Sequence, residues 1–216
     1  MPVKLGLYVI TDRDLCGARG VAETVRRAVR GGAGIVQLRA KKAGFDDQLR
    51  QVEELAEAID GRARLIVNDR LDVAIAARDR GILVDGVHLG QGDARALTSR
   101  QARGRHAIVG LTANTSAHLA AASQLPAGTV DYLGVGVIRP TTTKPDHPPA
   151  LGVDGFAELV ASTQIPCVAI GGITLTDVAP LRRAGAAGIA VVSAVCAAED
   201  PESAARTLTR EWERYR

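Results

Sequence analysis

Aromatic residues are scarce in this chain, with two Phe, three Tyr and one Trp among 216 residues. So few rings argue against the serial stacking platforms that hold single-stranded nucleic acid. Long apolar runs are missing as well: the longest nearly apolar stretch, Gly188 to Ala198, has eleven residues and contains Ser193. A bilayer needs about 20 such residues, so no membrane-spanning helix is expected. The short N-terminal run Leu5 to Ile10 is followed at once by Thr11, Asp12, Arg13 and Asp14. That is unlike a cleavable signal peptide, and the expected location is the cytoplasm. Cys16, Cys167 and Cys196 are odd in number and show no CxxC spacing. They read as buried thiols, with neither a disulfide framework nor a zinc site expected. His106, His118 and His147 have no metal-ligand spacing either.

Charge of one sign is nearly balanced by the other, 27 basic against 24 acidic residues for a net +3. The two signs alternate along apparent helix faces, so no nucleic-acid partner is expected. Lysine is rare: Lys4, Lys41, Lys42 and Lys144 are the four among those 27 basic residues. In a chain that favours arginine so heavily, a lysine in a polar loop hints at a use for its compact ammonium.

What the chain does have is glycine, 23 residues, within a composition that is 46% hydrophobic and 24% charged. That is the make-up of a folded globular domain. Short apolar, β-branched runs recur at Leu5 to Ile10, Gly34 to Leu38, Arg64 to Val67, Gly86 to Leu89, Ile108 to Leu111, Asp131 to Val135, Cys167 to Ile170 and Gly188 to Val192. Between them lie amphipathic stretches of helical spacing, such as Val21, Val25, Ala28 and Val29, or Leu49, Val52, Leu55, Ala56 and Ile59. The junction Arg26 to Ile35 is echoed by Arg182 to Ile189: a basic helix end, a glycine C-cap and a strand. The strands are too continuously apolar to face water and fit a parallel sheet sheathed by helices.

Eight such units predict an α/β fold, a (β/α)8 TIM barrel that forms a single domain over residues 1–216. An open doubly wound sheet is the alternative, and it usually carries a dinucleotide fingerprint. Neither Gly31-Gly32-Ala33-Gly34 nor Gly134-Val135-Gly136 completes G-x-G-x-x-G, and no Gly-Lys dipeptide exists for a P-loop.

In a barrel, residues at the C-terminal strand ends meet at one mouth. Here these are Gln37, Arg39 and Lys41, then Asn68-Asp69, His88 through Asp93, Thr112-Ala113-Asn114, Thr141 to Lys144, Gly171-Gly172 and Val192-Ser193. Two anion sites follow. Gly171, Gly172, Val192 and Ser193 fit a phosphate held by backbone N–H groups and a helix N-terminus, or else a tight turn. Arg39, Lys41 and Lys144 would converge on a second anion while Asp69 and Asp93 hold Mg²⁺. With the ion that set carries about +3, suited to a diphosphate of roughly −3. Each aspartate alone also reads as a helix N-cap. The segment 136–152, with Pro140, Pro145, Pro148 and Pro149, excludes helix and reads as a lid or binding loop. His88 reads as a base or orienter, or as a packed structural residue.

Together, Gln37-x-Arg39-x-Lys41, Val67-Asn68-Asp69, Gly86-Val87-His88-Leu89-Gly90-Gln91-x-Asp93, Pro140-Thr141-x-Thr143-Lys144, Gly171-Gly172-Ile173 and Val192-Ser193-Ala194 resemble the thiamine-phosphate synthase family. The likeness runs in order over almost the whole chain. It implies a barrel transferase that joins a hydroxymethylpyrimidine diphosphate to a thiazole phosphate, giving thiamine monophosphate and pyrophosphate, with Mg²⁺ on the diphosphate and early C–O cleavage. By position it implies that Gln37, Arg39, Lys41, Asn68, Thr112 and Lys144 bind the pyrimidine diphosphate and that Asp69 and Asp93 ligate the metal. Thr141 and Thr143 would contact the thiazole, and Gly172, Val192 and Ser193 its phosphate. Arg39, Lys41 and Lys144 would be the catalytic cations. The partners implied are these two small molecules, and homo-oligomerisation is left open.

The chain departs from the family pattern at Ala40, at Thr112-Ala113-Asn114 and at Gly136-Val137-Ile138-Arg139, where a cation stands near a pocket that usually stacks a ring. The related thiazole tautomerase is the alternative, but it relies on a histidine near strand 5 and typically lacks the Thr-x-Thr-Lys loop. A non-catalytic phosphate-binding barrel is the reading from outside the enzymes.

Overall fold

The structure, a computed structural model, describes residues 3–90, 93–104, 106–141, 143 and 149–215, with the backbone alone at 93–95 and 103. Among the described residues, eight parallel strands close into a barrel in chain order. They are β1 (Gly6–Ile10), β2 (Ile35–Leu38), β3 (Arg64–Asn68), β4 (Gly86–Leu89), β5 (Ile108–Thr112), β6 (Tyr132–Gly136), β7 (Cys167–Ile170) and β8 (Gly188–Val191). Each lies within one residue of the boundaries expected from the apolar runs. The barrel closes where Gly6 pairs with Gly188 and Tyr8 with Ala190.

The runs are apolar without alternation because both strand faces are covered. Leu7, Val9, Val36, Val67, Val87, Val109, Leu133 and Ile189 pack outward in one buried cluster with the helices. Tyr8, Ile10, Ile35, Ile66, Ile108, Tyr132, Val168 and Ala190 form a second cluster, which fills the barrel. Each fully buried aliphatic side chain contributes about 1.5–3 kcal/mol.

The outer ring consists of α1 (Arg13–Cys16), α2 (Val21–Arg30), α3 (Phe45–Ile59), α4 (Leu71–Asp79), α5 (Asp93–Arg103), α6 (Ser116–Gln124), α7 (Gly152–Ala161), α8 (Leu175–Arg183), α9 (Ser193–Cys196) and α10 (Pro201–Arg214). The helical spacing holds where it is clearest: α2 buries Val25, Ala28 and Val29, and α3 buries Leu49, Val52, Leu55 and Ile59. The echoed junction differs in one respect from the expectation. Gly31 caps α2 with a negative φ, and Gly32 takes the positive one (φ 103°), as Gly185 does after α8 (φ 89°). Gly31 is small for another reason, since a Cβ there would run into the backbone of α10 at Glu202.

Glycines inside the strands shape the interior. A side chain at Gly110 would overlap the Tyr132 ring and the His88 imidazole, and one at Gly134 would lie 3.0 Å from His88. Two β-sheet glycines therefore make room for two rings in a barrel with few rings to place. All three cysteines are buried and unbonded. No helix of the described residues is long and apolar enough to cross a membrane.

Candidate active site

Strand polarity brings the polar strand ends to one opening. An open cavity of about 1090 Å³, counted out to its solvent-filled mouth, is lined there by residues of every strand from β1 to β8 or the turns after them. Gln37, Arg39, Lys41, Asn68, Asp69, Thr112, Thr141, Thr143, Gly172, Val192 and Ser193 all line it. Lys144 lies outside the described residues, and Asp93 opens α5 with its side chain outside them.

Asp69 sits in the left-handed region at φ 61°, a conformation that aspartate tolerates better than bulkier residues. Its carboxylate is not a helix cap: Arg70 is the N-cap of α4, and no side chain bonds the cap there. Instead Oδ1 accepts the Gly90 N–H at 3.0 Å and Oδ2 accepts from the Asn68 amide at 2.7 Å. The Asp69 N–H is held by the His88 carbonyl at 2.8 Å. Neither Arg39 nor Lys41 forms an ion pair through its side chain among the described residues. Among the described residues the mouth thus holds two unpaired cations and a carboxylate with lone pairs to spare.

Beneath the mouth a polar line crosses the barrel, buried at Gln37, Tyr8 and Tyr132 and half-buried where Asn68, His88 and Thr112 line the cavity. Gln37 donates from Nε2 to Asn68 Oδ1 at 2.7 Å and accepts from the Tyr8 hydroxyl at 2.6 Å. The Tyr8 and Tyr132 hydroxyls are 2.8 Å apart, and Tyr132 lies 2.9 Å from His88 Nδ1. His88 Nε2 is 3.0 Å from the Thr112 hydroxyl. Burial pushes the imidazole down to about 4 against a small opposing pull from Asp69, so His88 is neutral at physiological pH. The same burial raises both phenols above the ordinary tyrosine range.

On the opposite wall the turn after β7 and the start of α9 form a cup. Gly171 and Gly172 both take positive φ, 98° and 65°. A Cβ on Gly172 would lie 2.8 Å from the Arg139 carbonyl oxygen, so the close fit of the β6 and β7 turns also requires glycine there. Val192 is the N-cap of α9 and has no oxygen with which to cap it. The first N–H groups of that helix therefore have no intrahelical acceptor.

The cation at Arg139, expected near the ring pocket, is turned elsewhere. Its guanidinium donates two N–H bonds to Asp177 Oδ1 and one to Oδ2, at 2.6–2.9 Å, and it does not line the cavity. Asp177 in turn caps α8 through Thr174. The segment after β6 leaves along β7, Ile138 and Arg139 donating to the Ile170 and Gly171 carbonyls. Its two ends are tied together where Leu151 and Gly152 donate to the Val137 and Ile138 carbonyls.

Sequence reasoning missed Tyr8 and Tyr132, which touch the site only through other side chains. The available signal was the pair of glycines inside β5 and β6. Asn114, a departure from the family pattern, also lines the cavity.

A closed parallel barrel with, among its described residues, unpaired cations, a non-capping carboxylate and a glycine cup at its C-terminal mouth has the build of a barrel enzyme for small molecules. A sequence model described as thiamine monophosphate synthase matches residues 7–195, and the chain belongs to that family. The thiamine-phosphate synthase of Xanthobacter autotrophicus is 45% identical over 210 residues, 96% of this chain and 95% of its own length. That of Psychrobacter sp. is 41% identical over 204 residues, 94% of this chain and 93% of its own. The solved thiamine phosphate pyrophosphorylase of Pyrococcus furiosus superposes with a TM-score of 0.83 at 34% identity, covering 98% of this chain and 97% of that one. At this identity over nearly full length the chain is an enzyme of the family, acting on small molecules.

Proposed function

We propose that the chain makes thiamine phosphate by condensing 4-amino-5-hydroxymethyl-2-methylpyrimidine diphosphate with a thiazole phosphate, the C–O bond breaking before the new C–N bond forms. The observation that carries this reading is the surplus charge at the mouth, where Arg39 and Lys41 stand unpaired among the described residues beside an Asp69 that caps no helix. Pyrophosphate leaves with several negative charges, and preorganised cations stabilise that charge as it develops. Arg39, Lys41 and Lys144 take this role.

Gln37, Asn68 and Thr112 hold the pyrimidine. Thr141 and Thr143 position the thiazole, and the cup of Gly172, Val192 and Ser193 receives its phosphate. The thiazole nitrogen attacks with its own lone pair and carries no proton to remove, so the chain supplies alignment and leaving-group stabilisation in place of a base. Asp69 and Asp93 would hold Mg²⁺. The donor set suits it, because the Asp69 oxygens face no cation among the described residues and a hard ion prefers carboxylates plus phosphate oxygens. The ion would neutralise diphosphate charge. A cytoplasmic location belongs to the same proposal.

The test is incubation of the protein with both substrates and Mg²⁺, reading pyrophosphate and thiamine phosphate. Equimolar release is expected, and excess chelator should suppress it. Isomerisation of the thiazole without pyrophosphate would overturn the reading in favour of a tautomerase. No pyrophosphate and no isomerisation would leave a binding barrel.

A further inference from the structure

Seven side chains, from Asp69 to Thr112, form an unbroken hydrogen-bonded line whose direction is forced at every link. The Asp69 carboxylate only accepts, so the Asn68 atom 2.7 Å from Oδ2 is the amide nitrogen, and Asn68 Oδ1 faces Gln37. Gln37 therefore gives an N–H to Asn68 and turns its oxygen to the Tyr8 hydroxyl, 2.6 Å away. Tyr8 has then spent its one hydrogen, and the Tyr132 hydroxyl at 2.8 Å must donate to it. Tyr132 in turn accepts from His88 Nδ1–H at 2.9 Å. A neutral imidazole has one ring hydrogen, so Nε2 accepts and the Thr112 hydroxyl, 3.0 Å away, donates.

We propose that Tyr8 and Tyr132, which do not line the cavity, are specificity-determining positioning residues: by fixing this direction they leave Thr112 only lone pairs, and Gln37 and Asn68 one spare N–H each, to offer a substrate, and so select a 4-aminopyrimidine over its 4-oxo counterpart. The inference rests on the pyrimidine substrate proposed above. An aminopyrimidine brings an exocyclic N–H donor and ring nitrogens that accept, which complements one acceptor and two donors. The 4-oxo ring replaces the donor with an acceptor and puts a hydrogen on a ring nitrogen, so both features meet their own kind. Sites built around defined polar groups reject such analogues strongly because buried partners are left unpaired.

If the tyrosines merely filled the barrel, removing one hydroxyl would leave His88 unchanged. In a directed line the cut propagates. Tyr8→Phe leaves the Tyr132 hydrogen without its acceptor. The nearest remaining one is His88 Nδ1, so the imidazole hydrogen moves to Nε2, and Thr112 becomes an acceptor from His88 and a donor to the cavity. Tyr132→Phe frees the same half of the line at the next link.

The experiment uses the full chain with ¹⁵N-labelled histidine, His88 being assigned by the signal lost in His88→Gln. The unmutated protein is expected to show the Nδ1–H tautomer without any substrate present, and Tyr8→Phe the Nε2–H tautomer. The preference in kcat/KM for the 4-amino over the 4-oxo pyrimidine diphosphate should fall about tenfold or more in both tyrosine variants, with melting curves checking that each is folded. An Nε2–H tautomer in the unmutated protein overturns the proposal, as does equal use of both pyrimidines by it. Either tyrosine variant folding with its preference intact does the same. Absence of pyrophosphate release from the unmutated protein would sink the substrate reading and the selectivity with it, while the tautomer still reports whether the line is directed as described.

Discussion

The two ends of the barrel treat their aspartates in opposite ways. At the base, Asp85 and Asp131 each precede a strand and repeat one device. The Asp85 N–H donates to the Leu65 carbonyl while Asp85 Oδ2 accepts the Leu65 N–H at 2.8 Å, and Asp131 closes the same ring with Val109. An arginine completes each: Arg64 on Asp85 at 2.7 Å and Arg100 on Asp131 at 2.6 Å. Charge is consumed there in holding strand starts in register. At the mouth, Asp69 has amide partners and no cation, and Arg39 and Lys41 have no carboxylate among the described residues. Charge that a fold leaves unneutralised is available to a ligand, so the base should govern stability and the mouth turnover.

Asp69→Asn breaks the comparison most sharply. Asparagine accepts the left-handed conformation as readily as aspartate and gives up only one of the two accepted bonds, from the Gly90 N–H or the Asn68 amide, so the fold should lose no more than about 1–2 kcal/mol. Turnover should fall at least about 100-fold, roughly 2.7 kcal/mol of barrier. Pyrophosphate-release kinetics beside a thermal melt check both halves, and a large loss of stability with unchanged kcat would place Asp69 with the structural aspartates. Asp131→Ala is the mirror image. It removes the carboxylate that pairs with Arg100 and accepts the Val109 N–H, so it should cost about 2 kcal/mol of stability in denaturant unfolding while kcat stays within about twofold.

How much of this was legible follows from where each signal sits in the chain. The strands were readable because a parallel barrel buries both faces, which leaves unbroken apolar runs such as Leu65 to Val67 and Ile35-Val36. Gln37, Arg39 and Lys41 were readable because they alternate within five residues. The Tyr8–Tyr132 contact joins residues 124 apart, and no local spacing announces it. Arg139 was misjudged for a related reason: its counterion Asp177 lies 38 residues on, where the structure shows it also capping α8. His88 meets both of its expected descriptions at once, packed with its ring nitrogens held by Tyr132 and Thr112 and also lining the cavity.

Arg139 and Asp177 sharpen the contrast because they place a base-like pair close to the mouth. Burial alone would raise the Asp177 carboxyl, but the Arg139 guanidinium and the Thr174 N–H and hydroxyl outweigh it and hold it below its ordinary value of 3.8. A carboxyl depressed on folding stabilises the protein above the unfolded pKa, and that stability is lost as pH falls through the folded one. The exposed guanidinium is screened, so most of the effect is the cap. Asp177→Asn should therefore cost about 1.5 kcal/mol at neutral pH, and the deficit should shrink below about pH 4 as measured by urea unfolding at several pH values.

The smallest expected effect separates the charged from the neutral part of the mouth itself. Asn114 lines the cavity on the β5 side, where the line ends at Thr112; the Asn114 backbone N–H donates to His118 Nδ1 at 3.3 Å, and His118 does not itself line the cavity. A thiazole tautomerase must move a proton and needs a titratable group, whereas capture of a cation formed by diphosphate departure needs only alignment. Asn114→His supplies an imidazole without touching Arg39, Lys41 or Asp69. Condensation should stay within about tenfold, under roughly 1.4 kcal/mol of barrier, because no charge facing the diphosphate changes. Following thiazole isomerisation by NMR alongside pyrophosphate release decides the matter, with the unmutated protein expected at background for the first. A loss from Asn114→His as deep as that from Asp69→Asn would mean that the neutral wall contributes to the chemistry as much as the charged one, and the division between them would fail.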